Sequence, residues 1–355
     1  MVGREASPAP RPTGRLATSS FRPAWWLPGP HLQTIWPVLA GARLETRLRR
    51  ERLELPDGDF LDLDWASAGP GSLDPGVRDS RAGAVPPADQ GLVILLHGLE
   101  GSSHSHYLVH LINRLGRLGM EGVVVHFRGC SGEPNRLARS YHAGDTADLA
   151  YVVAQLRARF PGRTLAAVGY SLGGNVLLKW LGETGPENPL QCAAAISVPF
   201  RLARAADRLE RGASRIYQRH LLARLKAGAR LKLDRTDFPY SAAQIDRLRS
   251  LREFDALITA PLHGFQGVED YYRRASSAGY LHAIAVPALI VHARDDPFID
   301  PGAIPTVDTL SPTTTLELSA TGGHVGFVSG TGPLRPRYWL SGRLLAWLRR
   351  CGVAP

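Results

Sequence analysis

An apolar run that ends in a glycine-rich turn around one serine is the feature that most constrains the fold of this chain. Residues 165–168 are apolar, the turn reads Gly169-Tyr170-Ser171-Leu172-Gly173-Gly174, and a helix-like pattern follows. This order predicts a buried strand, a sharp turn and a helix. Glycine is expected at 169 and 173 because side chains there would collide with the neighbouring strand and helix. The turn therefore predicts an α/β protein with Ser171 above the end of a sheet.

The same turn matches the pattern G-x-S-x-G, in which a serine oxygen lies at the positive end of a helix, where an oxyanion can form. The pentapeptide also occurs as a structural glycine turn in other α/β proteins. The rest of the sequence must therefore distinguish a reactive Ser171 from a structural one.

Sequence periodicity predicts a mostly parallel central sheet that is flanked by helices. Buried parallel strands are typical of short apolar runs that alternate with helical periods, and such runs occur at 92–96, 122–127, 165–168, 192–198, 286–292 and 315–318. An antiparallel hairpin at a sheet edge is predicted at 44–55 and 60–65, where apolar and charged residues alternate. Arginine-dense helical sequence at 199–280 predicts a helical cap over the strand ends.

The amino-terminal residues differ in composition from the rest of the chain. Residues 1–20 are rich in Pro, Ala, Ser and Arg without an apolar period, and we expect a disordered leader there. Residues 21–37 contain three tryptophans and are expected to lie against the domain. His31 and Gln33 are interpreted as polar anchors of this arm.

Length and apolar content allow one large domain. The chain has 355 residues, of which 44% are hydrophobic, which is enough for a sizeable core. Residues 66–90 are turn formers throughout and are expected to form an exposed connection within the domain. We therefore expect a single domain at 21–355, with the cap insertion at about 199–280.

The formal net charge of +10 raises the question of an anionic partner. Only three of the 42 basic residues are lysines, and the arginines are scattered through every segment. This distribution indicates a compositional bias and no nucleic-acid partner. A solvated cap surface is favoured, although its apolar positions also allow peripheral contact with a membrane.

Cysteine content and hydropathy predict a soluble, cytoplasmic protein. The three cysteines are widely spaced, with no C-x-x-C pair, which disfavours a disulfide framework or a zinc site. No segment has the apolar length of a membrane span or the pattern of a signal peptide.

A serine hydroxyl becomes a good nucleophile only when a base takes its proton, and an imidazole does this well when a carboxylate orients it. Asp296 follows the predicted strand at 286–292, and His324 follows the strand at 315–318. Ser171, Asp296 and His324 occur in the order typical of α/β-hydrolases. Glycines beside His324 are expected to let it swing over the site.

Each of these roles has an alternative in the sequence. Asp295 competes with Asp296, which we prefer because it directly precedes Pro297. His97 and His263 compete with His324, although neither follows the last strand. The backbone amides of Leu99 and Leu172 are predicted to bind an oxyanion.

Neither a metal ion nor another cofactor is predicted. His104, His106 and His110 are clustered, and His106 and His110 share one helix face. No nearby cysteine or carboxylate completes a metal site, so surface histidines are the favoured interpretation.

Several further motifs resemble those of the YheT-like α/β-hydrolases, which are related to the abhydrolase-domain esterases and lipases. The resemblance covers residues 21–350 and implies an α/β-hydrolase fold, with Ser171, Asp296 and His324 as the catalytic triad. The motifs are Pro30-His31-Leu32-Gln33-Thr34, His97-Gly98-Leu99-Glu100-Gly101-Ser102-Ser103, Phe127-Arg128-Gly129-Cys130-Ser131-Gly132, Gly169-Tyr170-Ser171-Leu172-Gly173-Gly174-Asn175, Thr259-Ala260-Pro261-Leu262-His263-Gly264-Phe265, Asp295-Asp296-Pro297-Phe298 and Gly322-Gly323-His324-Val325-Gly326-Phe327.

The resemblance implies cleavage of carboxylic esters, from short acyl esters to acylglycerols and phospholipids. We therefore expect a cofactor-free serine hydrolase that acts on a small-molecule or lipid ester, with the cap and the tryptophan arm shaping an apolar pocket. Two alternatives remain open, namely an acyltransferase with the same triad and a non-catalytic scaffold that binds a lipid or protein.

Overall fold

The computed structural model describes residues 13–66 and 91–355. Within these residues the chain forms a nine-stranded sheet with the order β1-β9-β8-β7-β6-β4-β5-β3-β2. Each neighbouring pair among the first seven strands of this order, β1-β9-β8-β7-β6-β4-β5, is parallel. Strand β3 is antiparallel to both β5 and β2. The strands are β1 (Arg15–Thr18), β2 (Leu48–Glu54), β3 (Phe60–Ala66), β4 (Leu92–Leu96), β5 (Glu121–Val125), β6 (Leu165–Tyr170), β7 (Cys192–Ile196), β8 (Ala288–Ala293) and β9 (Thr314–Ser319).

Helices and a small ribbon complete the described structure. The ribbon joins β10 (Val328–Ser329) to β11 (Arg337–Tyr338). A π-helical stretch, Asp255–Thr259, links α8 to α9. The helices are α1 (Pro30–Ala40), α2 (His106–Arg117), α3 (Thr146–Arg159), α4 (Leu172–Thr184), α5 (Leu202–Leu209), α6 (Arg215–Arg230), α7 (Ala242–Arg247), α8 (Leu251–Phe254), α9 (Ala260–Leu262), α10 (Val268–Ala275) and α11 (Trp339–Arg350).

The central strands are buried on both faces, which confirms the prediction of parallel strands from their continuous apolar runs. Ile94 of β4 packs in one core layer with residues of α3 and α4, whereas Leu95 packs in the opposite layer with residues of α2 and α11. Alternate side chains of a strand point to opposite faces of its sheet. Helices therefore cover both faces, as the sequence predicts.

The predicted hairpin is also present, with β2 at the edge of the sheet. Its acidic residues on β3 are buried because arginines of β2 pair with them. Nε of Arg50 lies 2.8 Å from Oδ1 of Asp64, and Nε of Arg52 lies 2.9 Å from Oδ1 of Asp62. The alternating charges that mark this hairpin in the sequence therefore become cross-strand ion pairs.

The expectation of a leader that does not pack is wrong for Arg15–Thr18. These residues form β1, which pairs in parallel with β9 and places Leu16 opposite Leu316. An edge strand is held mainly by backbone hydrogen bonds, so it needs no apolar period in its sequence. Residues 1–12 and the predicted connection at 67–90 lie outside the described residues.

Helices α5 to α10 lie between β7 and β8 in the chain, where the sequence predicts a cap. They have an apolar cluster of their own, which includes Leu222 of α6, Ile245 of α7 and Phe254 of α8. Helix α10 also contacts the main core through Tyr271 and Tyr272. This helical segment is therefore packed internally and is attached to the sheet domain.

Candidate active site

Ser171 lies at a tight turn between β6 and α4. Its backbone has φ 52° and ψ −118°, a strained conformation for a residue with a side chain. A Cβ atom at Gly169 would lie 2.5 Å from the carbonyl oxygen of Gly173, and one at Gly173 would lie 2.5 Å from the carbonyl oxygen of His97. Both glycines are therefore required by close backbone approach, as the sequence predicts.

Ser171, His324 and Asp296 form a continuous chain of hydrogen bonds. The Nε2 atom of His324 lies 2.9 Å from Oγ of Ser171, and its Nδ1 atom lies 2.8 Å from Oδ2 of Asp296. An ionised carboxylate only accepts hydrogen bonds, so Nδ1 carries the proton and Nε2 is free to accept from the serine hydroxyl. The structure thus brings together three residues that are far apart in the sequence.

Asp295 points elsewhere. Its Oδ1 atom accepts a hydrogen bond from the amide of Gly323 at 3.0 Å, and burial raises its pKa. The carboxylate of Asp296 is buried, and its Oδ1 atom accepts from the amide of Phe298 at 2.8 Å. Of the two neighbours, Asp296 is therefore the one that orients the imidazole.

The rival histidines, His97 and His263, are bonded to backbone groups and not to Ser171. The imidazole of His97 is buried, and its Nδ1 atom lies 2.7 Å from the carbonyl oxygen of Gly98 while Nε2 accepts from the amide of Phe127 at 3.1 Å. Burial lowers the pKa of His97 to about 3. His263 lies 2.7 Å from the carbonyl oxygen of Thr259. Both imidazoles are occupied by backbone groups.

The loop that carries His324 is fixed by α1. The amide of His324 donates to Oγ1 of Thr34 at 2.9 Å. Gln33 is buried and bonds both backbone groups of Val328, at 2.8 and 3.1 Å. A Cβ atom at Gly326 would lie 2.1 Å from the carbonyl oxygen of Gln33. The glycines thus allow close packing of the loop against α1, and the expectation that they let His324 swing stays a prediction.

Aromatic contacts also hold the imidazole ring of His324. The ring of Phe298 stacks on that of His324 with centroids 4.0 Å apart. Tyr217 of α6 lies beside Phe298, with ring centroids 4.7 Å apart. The hydroxyl of Tyr217 lies 2.9 Å from Nδ1 of His31, so His31 anchors α1 to the helical segment α5–α10.

The predicted anchoring roles of His31 and Gln33 are confirmed by these contacts. The sequence interpretation missed that the same arm positions His324 through Thr34. The motif from Pro30 to Thr34 was the available signal, but its partner is nearly three hundred residues away in the chain.

Two backbone amides are predicted to bind an oxyanion, those of Leu99 and Leu172. The loop before Leu99 packs closely on Ser171, because a Cβ atom at Gly98 would lie 3.3 Å from Cβ of the serine. Leu172 begins α4 directly after the serine, and its amide lacks an intrahelical acceptor. The loop at Leu99 is fixed on both sides, because the amide of Gly98 donates to Tyr107 and the amide of Glu100 donates to Tyr141, each at 2.9 Å. Within 13–66 and 91–355, no protein atom accepts a hydrogen bond from either leucine amide.

A cavity of about 840 Å³ opens onto Ser171 and His324. Its walls combine the loop at 98–102, part of α1 and apolar side chains of the helical segment α5–α10. The apolar residues from that segment include Leu202, Leu209, Leu221, Leu225, Leu251, Phe254, Ile258 and Leu262.

The tryptophans of the amino-terminal arm do not line this cavity within the described residues. Trp26 and Trp36 pack edge to face, 4.9 Å apart, in a separate cluster with Leu27 and Val328. Ile35 and Val38 of α1 line the cavity instead. The expectation that the arm helps to shape the pocket therefore holds for α1, while its tryptophans anchor the arm.

Within the described ranges, no cluster of His, Cys, Asp or Glu has an arrangement that could hold a metal ion. His110 stacks instead on Tyr338, with ring centroids 3.6 Å apart.

The helices of the described residues include none that is both long and apolar enough to cross a membrane.

Comparisons with known proteins identify the family of this chain. A family profile described as "alpha/beta hydrolase fold" matches residues 91–331. The chain is 42% identical over 94% of its length to "Putative esterase YheT" of Escherichia coli (strain K12), of which it covers 94%. It is 30% identical over 91% of its length to "Phospholipase ABHD3" of Mus musculus, of which it covers 77%.

A solved structure shows the same fold. The Pyrococcus furiosus esterase Pf2001 matches with a TM-score of 0.51 at 16% identity, covering 86% of this chain and 91% of that one. At this level of identity, the match supports the predicted architecture of a mostly parallel sheet flanked by helices.

Proposed function

Since this chain belongs to the α/β-hydrolase family, in the group that includes YheT, we propose that it is a serine hydrolase that cleaves carboxylic esters through an acyl-enzyme. The observation that carries the proposal is the unbroken hydrogen-bonded chain from Ser171 through His324 to Asp296. Its relatives are named as an esterase and a phospholipase.

In the first half of the proposed reaction, Oγ of Ser171 attacks the ester carbonyl while its proton passes to Nε2 of His324. Asp296 stabilises the resulting imidazolium and holds its tautomer. The amides of Leu99 and Leu172 then donate to the oxyanion of the tetrahedral intermediate. Collapse of this intermediate expels the alcohol, which takes the proton from His324 and leaves the acyl group on Ser171.

In the second half, water replaces the alcohol. His324 removes a proton from water as it attacks the acyl carbonyl, and the same two amides bind the second oxyanion. Breakdown releases the carboxylic acid and returns the proton to Oγ of Ser171. No external oxidant, reductant or cofactor is needed for this cycle.

The cavity supports an apolar acyl or lipid ester as the substrate. Its leucine, isoleucine and phenylalanine side chains would bury an acyl chain, with a gain of roughly 0.8 kcal/mol for each buried methylene. A cavity of about 840 Å³ lies within the usual range for small-molecule sites. The acyl group and the alcohol would both be held above Ser171.

Acyl transfer is the nearest alternative within the same chemistry. An alcohol in place of water at the acyl-enzyme would give a new ester, with the same roles for Ser171 and His324. Product analysis with added glycerol separates the two reactions, because hydrolysis gives mainly free acid and transfer gives mainly ester.

A non-catalytic scaffold is the alternative from another class. The strained backbone of Ser171 disfavours it, because strain of this kind costs on the order of 1–3 kcal/mol and persists mainly at functional sites.

Two further expectations stay predictions. They are a cytoplasmic location and contact of the helical segment α5–α10 with a membrane.

Hydrolysis of p-nitrophenyl esters of increasing acyl length tests the proposal. We expect turnover by the purified protein and a fall of at least about 10⁴-fold in kcat/KM for Ser171→Ala. Ser102→Ala is the matched control, since Ser102 lines the same cavity but lies outside the hydrogen-bonded chain. Equal activity of Ser171→Ala and the wild type would refute the assignment.

A further inference from the structure

Helix α1 has an exposed apolar face. It contains no charged residue, and Val38 and Leu39 are 65% and 76% exposed, with Leu32 at 45%. Other positions of the helix are already used, because Gln33 and Thr34 hold the loop of His324. Within residues 13–66 and 91–355, these exposed apolar side chains are not covered by another segment.

The exposed face continues onto α6. The contact between His31 and Tyr217 joins the start of α1 to the start of α6, and the neighbouring Ile216 is 64% exposed. Val38 and Ile216 both line the cavity that leads to Ser171. We name the set Leu32, Val38, Leu39 and Ile216 the apolar rim. Two of its members line that cavity, and Leu32 and Leu39 are exposed neighbours of Val38 on α1.

Two arginines flank the rim on α6. The helix has five basic residues and no acidic one. Arg224 donates to the carbonyl oxygen of Glu100, and Arg230 pairs with Asp246. Arg215 and Arg219 lie about one turn apart on the same face of α6, next to Ile216. Both are exposed and have no carboxylate partner among the residues that the structure describes.

We propose that the apolar rim, together with Arg215 and Arg219, docks this protein onto an anionic phospholipid bilayer. Apolar side chains that enter the interface bind through the area they bury, and unpaired arginines beside them attract acidic headgroups. Because the rim includes cavity-lining residues, docking places the entrance of the cavity on the lipid surface. An anionic lipid surface is the partner that fits this combination of exposed apolar side chains and arginines without a carboxylate partner.

The docking does not depend on the proposed ester cleavage. Ser171 lies inside the cavity, so Ser171→Ala leaves the rim and its arginines unchanged. Flotation of the full chain with vesicles of phosphatidylcholine, or of phosphatidylcholine with phosphatidylglycerol, measures the docking alone. We expect strong flotation with the mixed vesicles at low salt, weak flotation with the neutral ones, and the same result for Ser171→Ala.

The double variant Arg215→Ser/Arg219→Ser tests the charge contribution. Each arginine near an anionic leaflet contributes about fivefold in affinity, so we expect a loss of about 25-fold for the pair. Arg157→Ser/Arg350→Ser is the matched control, because it removes the same charge from exposed sites at the carboxyl ends of α3 and α11. These helix ends adjoin the amino ends of the strands, on the side of the sheet opposite Ser171.

Leu39→Asp tests the apolar contribution, since Leu39 is exposed and does not line the cavity. We expect a fall of about tenfold or more in vesicle affinity, with hydrolysis of a soluble ester and the unfolding temperature unchanged. Three outcomes would overturn the proposal. They are no flotation of the wild type with anionic vesicles, equal loss in the two arginine pairs, and a dimer in sedimentation velocity that Leu39→Asp abolishes.

Discussion

Oγ of Ser171 lies 2.9 Å from Nε2 of His324, yet the two residues are held in place in different ways. The serine is positioned by residues next to it in the sequence, since Gly169 and Gly173 let β6 and α4 approach closely. The histidine is positioned by α1, from the other end of the chain, through Thr34 and Gln33. A local turn can thus fix a nucleophile, whereas its base depends on long-range packing.

Backbone strain occurs both at Ser171 and in the loop that carries His324. Ser171 has φ 52°, and Val325 and Phe327, in the loop of His324, have φ 55° and 47°. Strained residues persist when their surroundings over-determine them. For Ser171 those surroundings are mainly its own strand and helix. For the histidine loop they include Ser197, whose Oγ accepts from the amide of Val325 at 3.1 Å, and α1.

The largest difference in kcat is expected between variants of the two neighbouring aspartates, Asp295 and Asp296, near His324. Asp296→Asn should lower kcat by about 10⁴-fold, because an amide donor facing Nδ1 favours the wrong imidazole tautomer. Asp295→Asn should lower it by less than about tenfold, since only the bond to the amide of Gly323 weakens. Steady-state kinetics with a soluble ester measure both, and an equal loss in both variants would contradict the assignment.

Gly326→Ala tests the long-range support. Its Cβ atom would lie 2.1 Å from the carbonyl oxygen of Gln33, so the histidine loop and α1 must separate. A displacement of about 1 Å at a reacting group can lower kcat by roughly 100-fold. We expect that loss in kcat, with most of the stability retained.

Gly169→Ala is the local counterpart of that change. Its Cβ atom would lie 2.5 Å from the carbonyl oxygen of Gly173, inside the packed contact of β6 and α4. Overpacking there should lower the free energy of unfolding by about 2–3 kcal/mol. Denaturant unfolding of both variants checks the comparison, which fails if Gly326→Ala proves the less stable of the two.

Thr34→Val should have a smaller effect. It removes the hydroxyl that accepts from the amide of His324 at 2.9 Å but keeps a similar volume. A lost hydrogen bond of this kind costs about 1–1.5 kcal/mol, or roughly a tenfold fall in kcat. Thr34→Ser keeps the acceptor and is expected to retain most of the activity, so equal loss in the two variants would argue for a packing role instead.

The local features of this protein were predictable from its sequence because their causes are close together in the chain. The turn at Ser171, the buried strands and the hairpin follow from periodicity and from glycines at fixed spacing. The order Ser171, Asp296, His324 likewise predicts which side chains meet. The spacing between a strand and its following turn is enough for each of these inferences.

The features that were missed depend on contacts between distant segments. Arg15–Thr18 has no apolar period, and it becomes a strand only because β9 offers an open edge. Thr34 looks like an ordinary helix residue until the loop of His324 packs on it. The glycines at 323 and 326 are also needed for close approach of the loop to α1, which the sequence alone does not show.

Mass spectrometry after treatment with a fluorophosphonate tests the central claim most directly. The reagent forms a stable bond only with a serine oxygen whose proton can be taken by a nearby base. We predict a single adduct, on the peptide that contains Ser171, and no adduct in Ser171→Ala. An adduct that persists in Ser171→Ala, or a wild-type protein that stays unmodified, would contradict the account.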